Sequence, residues 1–270
     1  MKYAICNETF QGWDWAETCN KAAELGYDGI EIAPFTLAED VRQLSNHARK
    51  VYRQTAFRSG LDVVGLHWLL VSPKGLSLTS RDDSIRLETS NYLEALVDFC
   101  ADMGGKIMVL GSPAQRRVPE GDSRSEVESR FLKTLEPAIR RLDKHNITLC
   151  LEPLPTPESD FILTLEEATA LVKRVDNLHV KTIFDVKSAC SENFPLSDLI
   201  KTYAPYIAHV HANDSNRRGP GFGEIDFVPI QKALSEVAYS GVISVEVFDY
   251  SPDPIAIATQ SLQYLKRCEA

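Results

Sequence analysis

Short runs of apolar, β-branched residues alternate along the chain with longer stretches of helical period. The runs are Tyr3 to Cys6, Ile30 to Ile32, Val63 to His67, Ile107 to Leu110, Thr148 to Glu152, Val180 to Asp185, Ile207 to His211 and Val242 to Val247. Most are apolar throughout instead of alternating with polar residues, as expected for strands of a parallel sheet covered on both faces. Between them lie apolar stripes at helical spacing. Trp15, Cys19, Ala22 and Leu25 are followed by Gly26, and Leu93, Leu96, Phe99, Cys100 and Met103 by Gly104. A last stripe of Ile255, Ala258, Leu262 and Leu265 follows Pro254. Glycine just past a helix and proline in its first turn are the expected stop and start signals. These stripes predict helix faces turned to a core.

Eight strand–helix units predict an α/β fold. A single (β/α)8 TIM barrel over residues 1–270 fits better than an open nucleotide-binding sheet. Such a sheet would want Gly-x-Gly-x-x-Gly directly after its first strand, where this chain has Asn7-Glu8-Thr9-Phe10. The one Gly-x-Gly, Gly221-Phe222-Gly223, falls late in a polar loop. The length of 270 residues suits one barrel domain, and no linker or low-complexity stretch divides it.

The net charge of −9 argues against a nucleic-acid partner, whose phosphates are bound mainly by basic surfaces. None of the six cysteines forms a Cys-x-x-Cys pair, so they read as buried reduced thiols and not as a zinc–thiolate centre. No apolar run is long enough for a signal peptide or a membrane span. The chain therefore reads as a cytoplasmic protein with no membrane partner.

In a barrel, chemistry collects at the carboxyl ends of the strands. Four consecutive runs end in ligand-type residues: Glu152, Asp185, His211 and Glu246, at separations of 33, 26 and 35 residues. Each spacing is about one strand–helix unit, so the barrel would gather all four side chains at one end. Taken singly, they could be helix caps or satisfied core groups. Glu246, inside Ser244-Val245-Glu246-Val247-Phe248, is harder to explain in that way, because a carboxylate among apolar residues is costly unless paired or bound to a cation. Three carboxylates and an imidazole suit one divalent ion of the Mn²⁺, Mg²⁺ or Co²⁺ kind. His67, after Gly65-Leu66 and before Trp68, is a candidate substrate-binding residue beside an aromatic wall. Arg116 or Arg117 could reach a substrate carboxylate or phosphate, or lie in a surface loop. Asn7, Glu8 and Glu31 end the first two strands as candidate pocket residues.

Glu152-Pro153-Leu154, the strand-ending Asp185, His209-Val210-His211 and Val245-Glu246 resemble the xylose-isomerase-like sugar isomerase and epimerase barrels, nearest in pattern to the ketose 3-epimerases. The resemblance spans nearly the whole chain. It implies that Glu152, Asp185, His211 and Glu246 bind one divalent metal, and that Glu152 and Glu246 are also the acid–base pair. The implied reaction is proton transfer next to a carbonyl of a small carbohydrate, through a metal-stabilised ene-diolate. Arg217, before Gly219-Pro220-Gly221, and Glu158, six residues after Glu152, resemble substrate-binding residues of that family. Relatives commonly form dimers or tetramers, and the sequence does not settle the oligomeric state here.

One position departs from the pattern. Ser188 stands where the epimerases place a substrate-contacting histidine, three residues after the strand-six aspartate, and Lys187 beside it is a flexible point charge instead of an imidazole. That keeps a second reading open, a metal-dependent dehydratase or lyase on a keto sugar or sugar acid. A phosphodiester hydrolase of the endonuclease IV type is a remote third, since Gly111 and Ser188 stand where further ligands would be wanted. A non-catalytic sugar-binding role would leave the paired glutamates unexplained.

Overall fold

The computed structural model describes residues 1–269. Its strands β1 (Lys2–Cys6), β2 (Gly29–Ile32), β3 (Asp62–Leu66), β4 (Ile107–Leu110), β5 (Thr148–Leu151), β6 (Val180–Asp185), β7 (Ile207–Ala212) and β8 (Val242–Val245) form a closed barrel in chain order. Each neighbouring pair is parallel. The ring closes through β1 and β8, with Tyr3 opposite Ile243 and Ile5 opposite Val245. That pairing separates the barrel from an open sheet.

Three predicted runs overshoot the ladder: β3 stops before His67, β5 before Glu152 and β8 before Glu246. Their amides still bond to the preceding strand's chain, His67 to Ile32 O, Glu152 to Leu110 O and Glu246 to Ala212 O. These side chains therefore sit at the barrel mouth on backbone that is still anchored. At Gly65 an added Cβ would lie 1.9 Å from the Ile107 carbonyl oxygen, so β3 can approach β4 only with glycine there.

Helices α1 (Trp15–Leu25), α2 (Asn46–Arg58), α3 (Asp83–Met103), α4 (Arg124–His145), α5 (Leu165–Val175), the single turn α6 (Val186–Ala189), α7 (Leu196–Tyr203), α8 (Phe227–Glu236) and α9 (Pro254–Cys268) connect the strands. The predicted punctuation holds: Gly26 and Gly104 end α1 and α3 in the left-handed region, and Pro254 opens α9 behind an Asp253 cap. Leu93, Leu96, Phe99, Cys100 and Met103 of α3 are all buried. Burying a large apolar side chain contributes about 1.5–3 kcal/mol, so this stripe outweighs the marginal stability of an isolated helix. Ile255 is a correction: it is 40% exposed, and Ile257 takes the core position. Five cysteines are buried and free, while Cys190 is free but exposed. Among the described residues no helix is long and apolar enough to cross a membrane.

Candidate active site

The four predicted ligand residues converge. Glu152, Asp185, His211 and Glu246 are all buried, and each offers a ligand atom within 4.8 Å of the others. Each is placed by its own local device. Gly111 leaves room for Glu152, since a Cβ on Gly111 would fall 2.1 Å from Glu152 Oε2. The missing side chain at 111 thus has a steric reason. Asp185 caps α6: its Oδ1 accepts from the Ser188 amide at 2.7 Å, and its Oδ2 from Asn213 Nδ2 at 2.6 Å. His211 meets Glu31 Oε1 through Nε2 at 3.1 Å. Glu246 Oε1 accepts from Trp68 Nε1 at 3.1 Å.

This leaves His211 Nδ1 and Glu246 Oε2 facing each other at 3.1 Å. Both atoms are buried and neither has a hydrogen-bond partner. In the neutral tautomer that gives Nε2–H to Glu31, Nδ1 carries a lone pair and two acceptors point into the same space; without a cation, burial opposes the charge but Glu246 and Glu31 hold His211 well above its usual range, so a proton on Nδ1 takes the cation's place. A divalent cation there would satisfy both, and a metal-bound histidine usually donates its other N–H to a carboxylate in this way. The residues therefore fit the ion that the sequence implies.

The charges point the same way. Burial, with Glu246 and Asp185 beside it, pushes the Glu152 carboxyl up to about 8. Burial and the Glu246 charge also raise Asp185. Burial opposes ionisation of Glu246 as well, but His211 against it holds that carboxyl below its usual range. The protein alone does not stabilise all these negative charges together, whereas a cation would.

Glu31 is the hub behind the site. It is fully buried and receives His209 Nε2 at 2.8 Å as well as His211. Burial works against its charge, but the two imidazoles hold it well below the usual carboxylate range. The register of β2 on β3 shifts between Ile30 and Glu31, an irregularity of the kind that re-aims a side chain. A carboxylate inside Gly29-Ile30-Glu31-Ile32 was the sequence signal for this role. Asn213, which holds Asp185, has a weaker signal in its period-two spacing after His209 and His211, which puts it on the same face of the chain.

Above the cluster opens a cavity of about 330 Å³ lined by Glu152, Glu158, Arg217, Glu246 and His67, together with Trp68 and Phe248. All three predicted substrate residues lie on it. Arg217 has φ 70°, and its carbonyl accepts from the Phe248 and Asp249 amides. Its guanidinium lies 5.7 Å from the Phe248 ring centre. Glu158 is paired with Lys187 at 2.8 Å, and that ammonium sits 4.8 Å from the Phe248 ring centre. His67 lines the wall, but Nε2 is 2.8 Å from Glu8 Oε2 and Nδ1 faces Glu31 Oε1 at 3.8 Å. Both ring nitrogens face protein carboxylates. Glu8 thus serves His67, and Asn7 braces the β2 end through the Ala33 amide and Thr36.

The β4 loop corrects an expectation. Arg116 is fully buried, with its guanidinium 3.4 Å from the Leu110 and Ile162 carbonyls, and burial lowers it to about 10. Arg117 turns to Asp160 and the Glu158 carbonyl. The loop lines the cavity through Ser112 to Gln115 instead. A second hollow of about 370 Å³ lies near the amino ends of the strands, lined by Lys2, Arg53, Asp62 and Lys106 among others. Its lining holds none of the four converging residues, and barrel chemistry sits at the opposite face.

Comparison with known proteins agrees with the architecture. The chain is 28% identical over 233 residues to a D-psicose 3-epimerase of Agrobacterium fabrum, covering 84% of this chain and 77% of that one. It is 26% identical over 278 residues to the 3-dehydro-D-guloside 4-epimerase of Escherichia coli, covering 99% and 100%. The crystal structure of D-psicose 3-epimerase with D-tagatose from Clostridium cellulolyticum superposes with a TM-score of 0.86 at 21% identity, over 100% of this chain and 99% of that one; at that identity it shows the fold alone. The profile of the xylose isomerase-like TIM barrel family matches residues 19–268, and the chain belongs to that family.

Proposed function

We propose that the protein is a divalent-metal-dependent sugar epimerase or isomerase. Glu152, Asp185, His211 and Glu246 hold the ion, and Glu152 and Glu246 also act as acid and base. The observation that carries this reading is the convergence of the four buried ligand-type side chains, with His211 Nδ1 and Glu246 Oε2 turned to each other beneath a cavity that also exposes Glu152. The relatives named as epimerases support the carbohydrate substrate. When bound, Mn²⁺, Mg²⁺ or Co²⁺ supplies Lewis-acid stabilisation of charge developing on a carbonyl oxygen.

The rest falls to the chain's own residues. Glu152 follows β5 and Glu246 follows β8, so the carboxylates stand on separate sides of the barrel mouth. One removes the proton from the carbon next to the carbonyl; the other returns it, on the opposite face for an epimerase or at the adjacent carbon for an isomerase. Arg217 and Glu158 orient hydroxyls. Lys187 holds Glu158 in place, and His67, with Nε2 held by Glu8 and Nδ1 buried without a hydrogen-bond partner, contributes ring surface.

The test is solvent exchange. Protein stripped of metal and protein loaded with Mn²⁺ are incubated in D₂O with ketoses, sugar acids and 3-keto sugars, and C–H signals are followed by NMR. Metal-dependent deuterium uptake is expected, and Glu246→Gln should abolish it while the circular dichroism spectrum stays native. Near-normal exchange in that variant would remove the acid–base assignment. Ser188 favours a second reading, since its buried hydroxyl has no partner and cannot replace an imidazole. If the site expels a β-hydroxyl, water is lost from the substrate; exchange without elimination counts against a dehydratase.

A further inference from the structure

Trp68 is used by nothing in the mechanism above, yet four observations meet on it. Its indole N–H donates to Glu246 Oε1 at 3.1 Å. Its backbone has φ 52°, in the left-handed region that bulky residues rarely adopt. Its ring stacks on Phe248 at 6.2 Å and 26°, and packs against Phe35 at 5.8 Å. It also lines the cavity over the ligand cluster. The preceding residue is pinned on two sides, with the His67 amide on Ile32 O and the ring on Glu8. A strained conformation persists only where its surroundings over-determine it, and such outliers gather at functional sites.

We propose that Trp68 is the positioning residue for Glu246: its indole N–H fixes Oε1, so that Oε2 is turned toward the cation position beside His211 Nδ1. The proposal rests on Glu246 being a cation ligand. A carboxylate can rotate and present either oxygen or both. Trp68 removes that freedom by occupying one oxygen, as partners behind a metal ligand commonly do. Phe248, two residues past Glu246, and Phe35 hold the indole plane, so the donor has one direction. A tryptophan serving only as an apolar wall would need neither the strained backbone nor a carboxylate at its nitrogen.

The three tryptophans are Trp13, Trp15 and Trp68, and Trp15 donates to the Tyr52 carbonyl. Indole-¹⁵N-labelled wild-type protein therefore gives three N–H signals to follow during a Mg²⁺ titration. The Trp68 signal should shift on metal loading and exchange slowly with solvent, while that of Trp15 stays still. Trp68→Phe keeps a ring but lacks the donor, and should weaken Mn²⁺ binding about tenfold. In a Glu246→Gln background the same change should add almost nothing, because the two act through one contact. A Trp68 signal that ignores Mg²⁺, or wild-type Mn²⁺ affinity in folded Trp68→Phe, overturns the proposal; if that variant does not fold, the titration decides. Failure of both ions to bind overturns this inference together with the metal-dependent function. Passing these tests without exchange on any sugar leaves Trp68 its role and rejects only the epimerase reading.

Discussion

Replacing Gly111 by alanine puts a methyl group where the Glu152 carboxylate now lies. The new Cβ would fall 2.1 Å from Oε2 and 3.2 Å from Cδ. Ordinary contact begins at 3.4 Å, so Oε2 must retreat by about 1.3 Å. Gly111 is not one of the glycines with positive φ, so the backbone accepts alanine, and the burden falls on the carboxylate. A retreat of that size is more than half of a metal–carboxylate bond of about 2.0–2.2 Å. It removes Glu152 from the ion or forces the site to rebuild. Misplacing one ligand should weaken Mn²⁺ binding by about 10–100-fold, or roughly 1.4–2.8 kcal/mol. Without metal the variant should melt close to wild type, because rotating Glu152 is cheaper than moving β4. Titration calorimetry with Mn²⁺ and a melt in chelator measure the two effects separately. Wild-type Mn²⁺ affinity would refute the placement of Glu152 as a ligand. A collapse of the metal-free melting temperature would show that the clash is taken up by backbone, and the reasoning from a rotating side chain would fail.

Two further outcomes follow from the buried charges. Glu31→Gln leaves His209 and His211 without their shared carboxylate; the melting temperature should fall and Mn²⁺ affinity drop by about tenfold or more, and an unchanged affinity would remove Glu31 as the residue that orients His211. The Glu152 carboxyl is raised from 4.5 to about 8. The stability this contributes is fully present below 4.5 and is lost as pH rises through about 8, so the metal-free protein should weaken over that window. Over the same range Mn²⁺ must displace that proton, so its affinity should rise with pH and level off above about 8, with proton release seen by calorimetry in buffers of different ionisation enthalpy. An affinity flat across that range would contradict the raised carboxyl.

The periodic patterns marked every strand and the helix stops at Gly26 and Gly104, because burial along a strand or helix leaves a local trace in the order of residues. The order of Glu152, Asp185, His211 and Glu246 was legible for a related reason: successive strands of a barrel place their ends side by side, so one residue per unit suffices to compose a cluster. Which residues pair across the barrel left no such trace, even where a residue such as Glu31 stood out by itself. Glu31 meets His209 and His211 from 178 and 180 positions away, and Trp68 reaches Glu246 over 178. Arg116 reads in the sequence as a loop cation facing a ligand or solvent, but the loop carrying Ile162 covers it. Which nitrogen of a histidine is occupied, which carboxylate oxygen is free and which arginine is covered depend on distances between segments remote in sequence. Those distances exist only once β1 has closed on β8.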